Sequence, residues 1–297
     1  MAASNDRQVV SVLGLGTMGQ GIALVCALAG FETHVFDVDP ELAKRAHASM
    51  LSKLLRMGER EKRAPEETKA IGERVVVEPS VERACSRADI VIEAIVESIE
   101  LKTALFGAVR SAAPASALLA SNTSGLSIGE LGRRMGEPER FLGLHFFNPP
   151  TAMELLEVVV GEKTSAESVE RAQAFARKIG KTAIVVRDSP GFATSRLGVT
   201  LGVEAMRMVE EGVASAADID RAMELGYRHP MGPLKVTDLV GLDVRLAILE
   251  HLSRELGPRF EPPAILKKLV TTGRLGKKVG LGFYRWTESG PVPEPLD

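Results

Sequence analysis

The sequence predicts an α/β protein, a doubly wound and mainly parallel sheet followed by an all-helical C-terminal domain. Three observations carry that expectation. The stretch "QVVSVLGLGTMGQGIALVCALAGFETHVFDVD" reads as strand, glycine cluster, apolar helix, Gly and strand, which is one βαβ unit. The runs "RVVVE", "ADIVIEAI", "ALLASNTS" and "RFLGLHFF" then repeat short apolar strands between helical or turn segments. After "KTAIVV" strand character stops and from Pro190 the pattern is helical, so a boundary near Asp188 separates residues 1–187 from 188–297.

In the first unit, Gly14, Gly16 and Gly19 spell G-x-G-x-x-G. The first glycine permits a tight turn, the second lets backbone approach a pyrophosphate, and the third lets helix and strand pack closely. Thr17 and Met18 stand between the last two, at a helix N-terminus whose unpaired N–H groups and partial positive charge suit phosphate. Asp37 closes the second strand, where a carboxylate binds the ribose 2′-hydroxyl of NAD and repels the 2′-phosphate of NADP. The unit therefore reads as Rossmann-type with NAD as cofactor and Asp39 as a lesser contributor. The plainer alternative is that the glycines serve packing and Asp37 caps a loop; the strand before and the helix after count against it.

Residues 41–73 exceed what a crossover needs and read as a helical insertion, two charged helices with Gly58 and Pro65 near their turn. Lys53, Arg56, Arg60, Lys62 and Arg63 form a basic concentration suited to a substrate's phosphates. Mixed with Glu59, Glu61, Glu66 and Glu67, it reads equally as a solvated helical face. Lys53 and Arg56 stand as candidate substrate contacts.

Ligands of open α/β sheets sit outside the carboxyl ends of the strands. Glu93, Glu97, Ser121, Asn122, Ser124 and His145 all fall at or just past strand ends. In "GLHFFNPPTAMELLEVVVG" Glu157 follows His145 by twelve positions. A helix would hold two such residues about 18 Å apart, whereas strand, turn and strand can bring them together. "SNTSGLSIGE" is rich in turn and cap residues, with Ser127 and Glu130 spaced as a capping box. Asn148, in "FFNPP", shapes the following turn and is a candidate substrate neighbour.

The ordered set "GLGTMGQGIA", "ADIVIEAIVESIELK", "ASNTSGLSI", "HFFNPP", "ELLEVV" and "DSPGFATSRL" resembles the short-chain L-3-hydroxyacyl-CoA dehydrogenases, including bacterial 3-hydroxybutyryl-CoA dehydrogenases, over nearly the whole chain. "MGPLKVTDLVGLDV" with "KKVGLGFYRW" looks like that family's C-terminal helical domain. The resemblance implies an oxidoreductase of fatty acid metabolism and β-oxidation that passes hydride from an L-3-hydroxyacyl-CoA, short chains preferred, to NAD. It implies His145 as the base, Glu157 as its acid partner and Ser124 as the hydroxyl near the reacting oxygen. Glu97, Lys102 and Asn122 are then expected near the cofactor. Many relatives carry Asn three residues after the Phe of "PGF"; Ser195 stands there, with fewer hydrogen-bonding groups and less reach.

The chemistry is intelligible without the resemblance. Hydride leaving a carbinol carbon obliges the hydroxyl proton to depart, so a base with pKa near neutrality is required within reach. A carboxylate on the other ring nitrogen fixes the tautomer and stabilises the imidazolium. A hydroxyl donor holds the charge that develops on oxygen.

In the helical half, one helix runs from Pro190 to Gly212 and another starts at the Ser215–Asp218 capping pair and ends near Gly226. Apolar faces in "DLVGLDVRLAILEHLSREL" and "AILKKLV" exceed what one small bundle buries, which suggests a homodimer through these helices. Lys277 and Lys278 read as solvated turn residues. His34, His47, His229 and His251 have no comparable carboxylate-and-loop setting.

A net charge of -2 with 26% charged residues gives no footprint for nucleic acid. The start "MAASNDRQVV" lacks a basic and apolar leader, and no apolar run reaches membrane-spanning length, so a cytoplasmic protein is expected. Cys26 and Cys85 have neither CxxC nor metal-ligand spacing and read as buried free thiols; no metal is expected. Two other readings remain beside the leading one. One is an NAD-dependent dehydrogenase of a free sugar acid, as in the gulonate dehydrogenase and lens-crystallin branch; the other is NAD binding without turnover. The 3-hydroxyisobutyrate and 6-phosphogluconate enzymes share a "GLGxMG" start but are expected to use lysine, which the His145 and Glu157 framework disfavours.

Overall fold

The computed structural model describes residues 8–296; the first seven residues of the start "MAASNDRQVV", and with them the expected absence of a leader, lie outside the described residues. The described residues form two compact units that divide between Ser189 and Pro190.

In the first unit β1 (Val9–Leu13), α1 (Thr17–Leu28) and β2 (Glu32–Phe36) form the opening βαβ. The insertion is α2 (Pro40–Glu61) and α3 (Pro65–Gly72), followed by β3 (Val75–Val77) and α4 (Val81–Cys85). Then come β4 (Ile90–Glu93), α5 (Ile99–Ala112), β5 (Leu118–Ser121), α6 (Ile128–Met135) and β6 (Phe141–Phe146). β7 (Leu155–Val160), α7 (Ala166–Lys178) and β8 (Thr182–Arg187) close the unit. The strands make one eight-stranded sheet in the order β3-β2-β1-β4-β5-β6-β7-β8. Every neighbouring pair is parallel except β6 and β7. Helices cover both faces of a parallel sheet, so Val10, Val12, Leu118, Leu142 and Leu144 have no exposure at all. The chain winds outward from β1 in both directions, and the switch between β1 and β4 opens the crevice where such sheets bind ligands.

The insertion is two helices whose turn falls between Gly58 and Pro65, the latter opening α3. Gly58 lies inside α2, where a Cβ would stand 2.5 Å from Thr68 Oγ1, so the glycine lets α3 pack close. The bend falls at Lys62, with a left-handed φ of 55°.

The second unit holds α8 (Thr194–Glu210), α9 (Ala216–Gly226), α10 (Pro233–Val240), α11 (Leu242–Leu256) and α12 (Ala264–Thr271). Val203, Met206, Leu234, Leu249, Leu266 and Phe283 form its core. α8 starts at Thr194 rather than Pro190, because Gly191 (φ 76°) and Phe192 (φ 48°) occupy the left-handed region that a right-handed helix excludes. The unit is helical but not wholly so. It ends in an antiparallel hairpin of β9 (Tyr284–Thr287) and β10 (Gly290–Pro293), which the prolines of "GPVPEP" conceal in the sequence.

Two buried aspartates organise this unit, and sequence reasoning missed both. Asp220 accepts from Leu234 N (2.8 Å) and Lys235 N (3.0 Å), in the first turn of α10, and from the Tyr284 hydroxyl (2.7 Å). Asp238 accepts from Phe283 N (2.8 Å), Tyr284 N (2.9 Å) and Trp286 Nε1 (2.9 Å), which ties the hairpin to α10. Burial pushes both carboxyls above their ordinary range, against the pull of these donors. Among the described residues no helix is long and apolar enough to cross a membrane.

Candidate active site

The glycine turn between β1 and α1 is set by contacts that only glycine allows. Gly14 has φ 94°, and a Cβ there would meet the Ala94 carbonyl at 2.8 Å; one on Gly19 would fall 1.8 Å from Gly14 O. A Cβ on Gly16 would instead enter open space, at an α1 N-cap with no side-chain cap. The opening at Gly16 beside uncapped first-turn amides at Thr17 and Met18 therefore fits a dinucleotide's pyrophosphate. Asp37 Oδ2 accepts from Leu15 N at 2.7 Å and Oδ1 from Asp39 N at 3.1 Å, so this acid also braces the turn. Asp37 lines a cavity of about 290 Å³ with Pro40, Val77 and Pro79. Asp39 caps α2 through Glu41 N.

β6 and β7 bring the sequence's most suggestive pair together. His145 stands opposite Glu157 in the antiparallel register, and His145 Nδ1 lies 2.6 Å from Glu157 Oε2. Glu157 is fully buried and His145 is 7% exposed, with its ring against Phe147. A carboxylate on Nδ1 assigns the proton to that nitrogen in the neutral ring. Asn122 accepts from Phe146 N at 2.9 Å, which couples the β5 loop to the end of β6. The turn after β6 packs on the cofactor helix, since a Cβ on Gly21 would meet Pro150 Cδ at 2.6 Å. Asn148 lies exposed in that turn.

The loops after β4 and β5 are joined by a polar network. Glu97 Oε1 accepts from Thr123 Oγ1 (2.6 Å) and Ser124 N (3.1 Å), while Lys102 Nζ stands 3.4 Å from Glu97 Oε2. Lys102 is 1% exposed and its ammonium is held by Glu93, which is fully buried. Thr123, which no sequence signal marked, anchors the loop by accepting from Gly125 N and Leu126 N. Ser124 is exposed, and its hydroxyl has no hydrogen bond among the described residues. Ser127 accepts from Glu130 N as expected, but the Glu130 carboxylate turns to Arg134, so the capping box is half formed.

Other residues fall elsewhere. Lys53 is half-buried on α2 without an acidic partner among the described residues and Arg56 is exposed and donates to Ser52, whereas Arg60 and Arg63 pair with Glu61. Ser195 is the second residue of α8, in the helical unit. Lys277 and Lys278 are not simply solvated: Lys278 binds both oxygens of Asp243 and Lys277 lies over the Trp286 ring. His34 does have carboxylate partners, Glu78 from beyond β3 on Nδ1 (2.7 Å) and Glu32, two residues earlier on the same strand, on Nε2 (2.9 Å). Cys26 and Cys85 are buried and free, and burial pushes the Cys85 thiol up to about 12.

Comparison with known proteins covers almost the whole chain. Residues 9–189 match the family model "3-hydroxyacyl-CoA dehydrogenase, NAD binding domain" and residues 191–286 its "C-terminal domain". The chain is 42% identical over 280 residues to a probable 3-hydroxybutyryl-CoA dehydrogenase of Bacillus subtilis, covering 94% of this chain and 97% of that one. It is 37% identical to the mitochondrial hydroxyacyl-coenzyme A dehydrogenase of Sus scrofa, covering 96% and 94%. The crystal structure of (S)-3-hydroxybutyryl-CoA dehydrogenase from Ralstonia eutropha superposes with a TM-score of 0.91 at 34% identity, over 95% of this chain and all of that one.

Proposed function

The chain belongs to the 3-hydroxyacyl-CoA dehydrogenase family and is an NAD-dependent enzyme of that family, and from this premise we propose that it oxidises short L-3-hydroxyacyl-CoA esters such as 3-hydroxybutyryl-CoA through a His145–Glu157 pair. The observation that carries the reading is the 2.6 Å contact between His145 Nδ1 and Glu157 Oε2, made across two adjacent strands at the carboxyl edge of the sheet. With Nδ1 engaged by Glu157, Nε2 takes the substrate's hydroxyl proton. Glu157 stabilises the imidazolium that results, and because it is buried its charge is poorly screened there. Ser124 donates to the oxygen as it becomes a carbonyl oxygen in one direction, or gathers charge in the other. When bound, NAD supplies the hydride acceptor. Gly14, Gly16, Thr17, Met18 and Gly19 would hold its pyrophosphate and Asp37 its ribose, with Glu97, Lys102 and Asn122 on the flanking loops.

Lys53 and Arg56 are assigned to the phosphates of CoA, supported by the lack of an acidic partner for either among the described residues, where Arg56 donates only to Ser52. Ser195 and Asn148 are assigned to the substrate, and the helical unit to dimerisation. The test is NADH formation from 3-hydroxybutyryl-CoA, longer 3-hydroxyacyl-CoAs and L-gulonate, with wild type and His145→Gln. The expected result is the highest kcat/KM for the four-carbon thioester and a loss of roughly 10²- to 10⁴-fold in the variant. Near wild-type turnover by His145→Gln would remove the base assignment, and a preference for gulonate would move the chain to the sugar-acid branch.

A further inference from the structure

We propose that Glu93 is a positioning residue for this reaction, its carboxylate being the common anchor of two hydrogen-bonded routes that fix the Ser124 loop. The proposal rests on the role given to Ser124 above. The first route runs from Glu93 Oε2 to Ser121 Oγ (2.6 Å), and that oxygen accepts from Thr123 N (3.2 Å). The second runs from Glu93 Oε1 through Lys102 Nζ to Glu97 Oε2 (3.4 Å), then from Glu97 Oε1 to Thr123 Oγ1 (2.6 Å) and Ser124 N (3.1 Å). Glu93 Oε1 also accepts from Ile95 N (2.7 Å), so the loop that carries Glu97 departs from the same group. Three segments of the cofactor edge, after β4, on α5 and after β5, thus meet at one carboxylate.

Stability alone does not account for this group. A buried ion pair is often matched or bettered by an apolar pair of the same volume, whereas directional bonds from a fixed charge hold a loop within the narrow tolerance that catalysis requires. Burial pushes the Glu93 carboxyl upward, opposed first by the Lys102 charge, so its ionised form depends on that partner. Direct action on the reacting atoms is excluded by register: Glu93 pairs with Ser121 and Ser121 with Gly143, which sets Glu93 two strands, roughly 10 Å, from β6. Its influence therefore passes through the loop.

The test combines hydrogen exchange with a double-mutant cycle. Glu93→Gln keeps the shape and removes the charge. Exchange at residues 122–126 should accelerate about tenfold or more while β4 and β5 stay protected. The kcat should fall about tenfold with KM for the acyl-CoA within about twofold, and Glu93→Gln combined with Ser124→Ala should be no slower than Ser124→Ala alone by more than about twofold. Losses that multiply, or unchanged exchange in the loop, would overturn the proposal. Should Glu93→Gln fail to fold, Ser121→Ala cuts the first route alone and is expected to show the same coupling at smaller size. The exchange arm needs no turnover: a protein without dehydrogenase activity would sink the functional reading, and a loop unmoved in exchange would sink this one.

Discussion

His145, Glu157 and Ser124 are each ordinary residues whose meaning comes from position. The sequence makes the first two legible because each interrupts an apolar strand, and an ionisable group inside such a run requires a partner. It does not reveal Asp220, Asp238 or the Glu78 carboxylate on His34, because their partners are backbone amides or neighbours remote in the chain. Asp37 was legible from the fingerprint alone, but its second contact, with Leu15 N, was not. That contact sharpens an expectation. Asp37→Ser should raise the ratio of kcat/KM for NADP over NAD by on the order of 10², since it removes a negative charge from beside the extra phosphate. The variant should also lose some NAD affinity through a looser glycine turn. Steady-state kinetics with both cofactors checks this, and an unchanged ratio would remove Asp37 from cofactor selection.

Elements were read more reliably than their ends. The β6 and β7 runs are short and apolar, the first rich in Phe and Leu and the second in Val, and prolines separate them, so strand, turn and strand followed directly. The start of α8 did not, because proline near a first turn is a strong signal and the left-handed Gly191 and Phe192 leave none. The α2 arm offers a test at this scale. Lys53→Ala with Arg56→Ala should raise KM for an acyl-CoA roughly five- to tenfold with kcat little changed, and should leave the kinetics of the matching pantetheine thioester, which lacks the nucleotide phosphates, almost untouched. Equal effects on both thioesters would return these cations to a solvated face. The hairpin offers another. Asp238→Ala leaves Phe283 N, Tyr284 N and Trp286 Nε1 without their acceptor, so the helical unit should lose about 3 kcal/mol, read as a lower midpoint in denaturant. A loss below about 1 kcal/mol would mean the hairpin holds by packing alone.

The whole molecule joins a cofactor-binding sheet to a helical unit that leaves Leu239, Val240 and Val244 between 42% and 50% exposed around the α10–α11 junction. A patch of this kind suits a second copy. Sedimentation should give twice the chain mass, and Val244→Glu with Leu239→Glu should halve it without unfolding the chain; a wild-type monomer at micromolar concentration would end that assignment. The class of fold was legible because alternation of short strands and helices is a property of the whole string, whereas the pairing that sets the site is a matter of register. Within the eight-stranded sheet, β6 and β7 alone of the neighbouring strand pairs run antiparallel. A slip of one residue there would set Leu156 or Val158 opposite the imidazole and turn the acid to the other face. The two parts of this hairpin therefore differ in what they tolerate. Residues added between Thr151 and Glu154 would disturb the hold of Lys181 on the Pro150 and Met153 carbonyls and leave the pairing intact, whereas one residue gained or lost within either strand would disarm the enzyme while its fold survived.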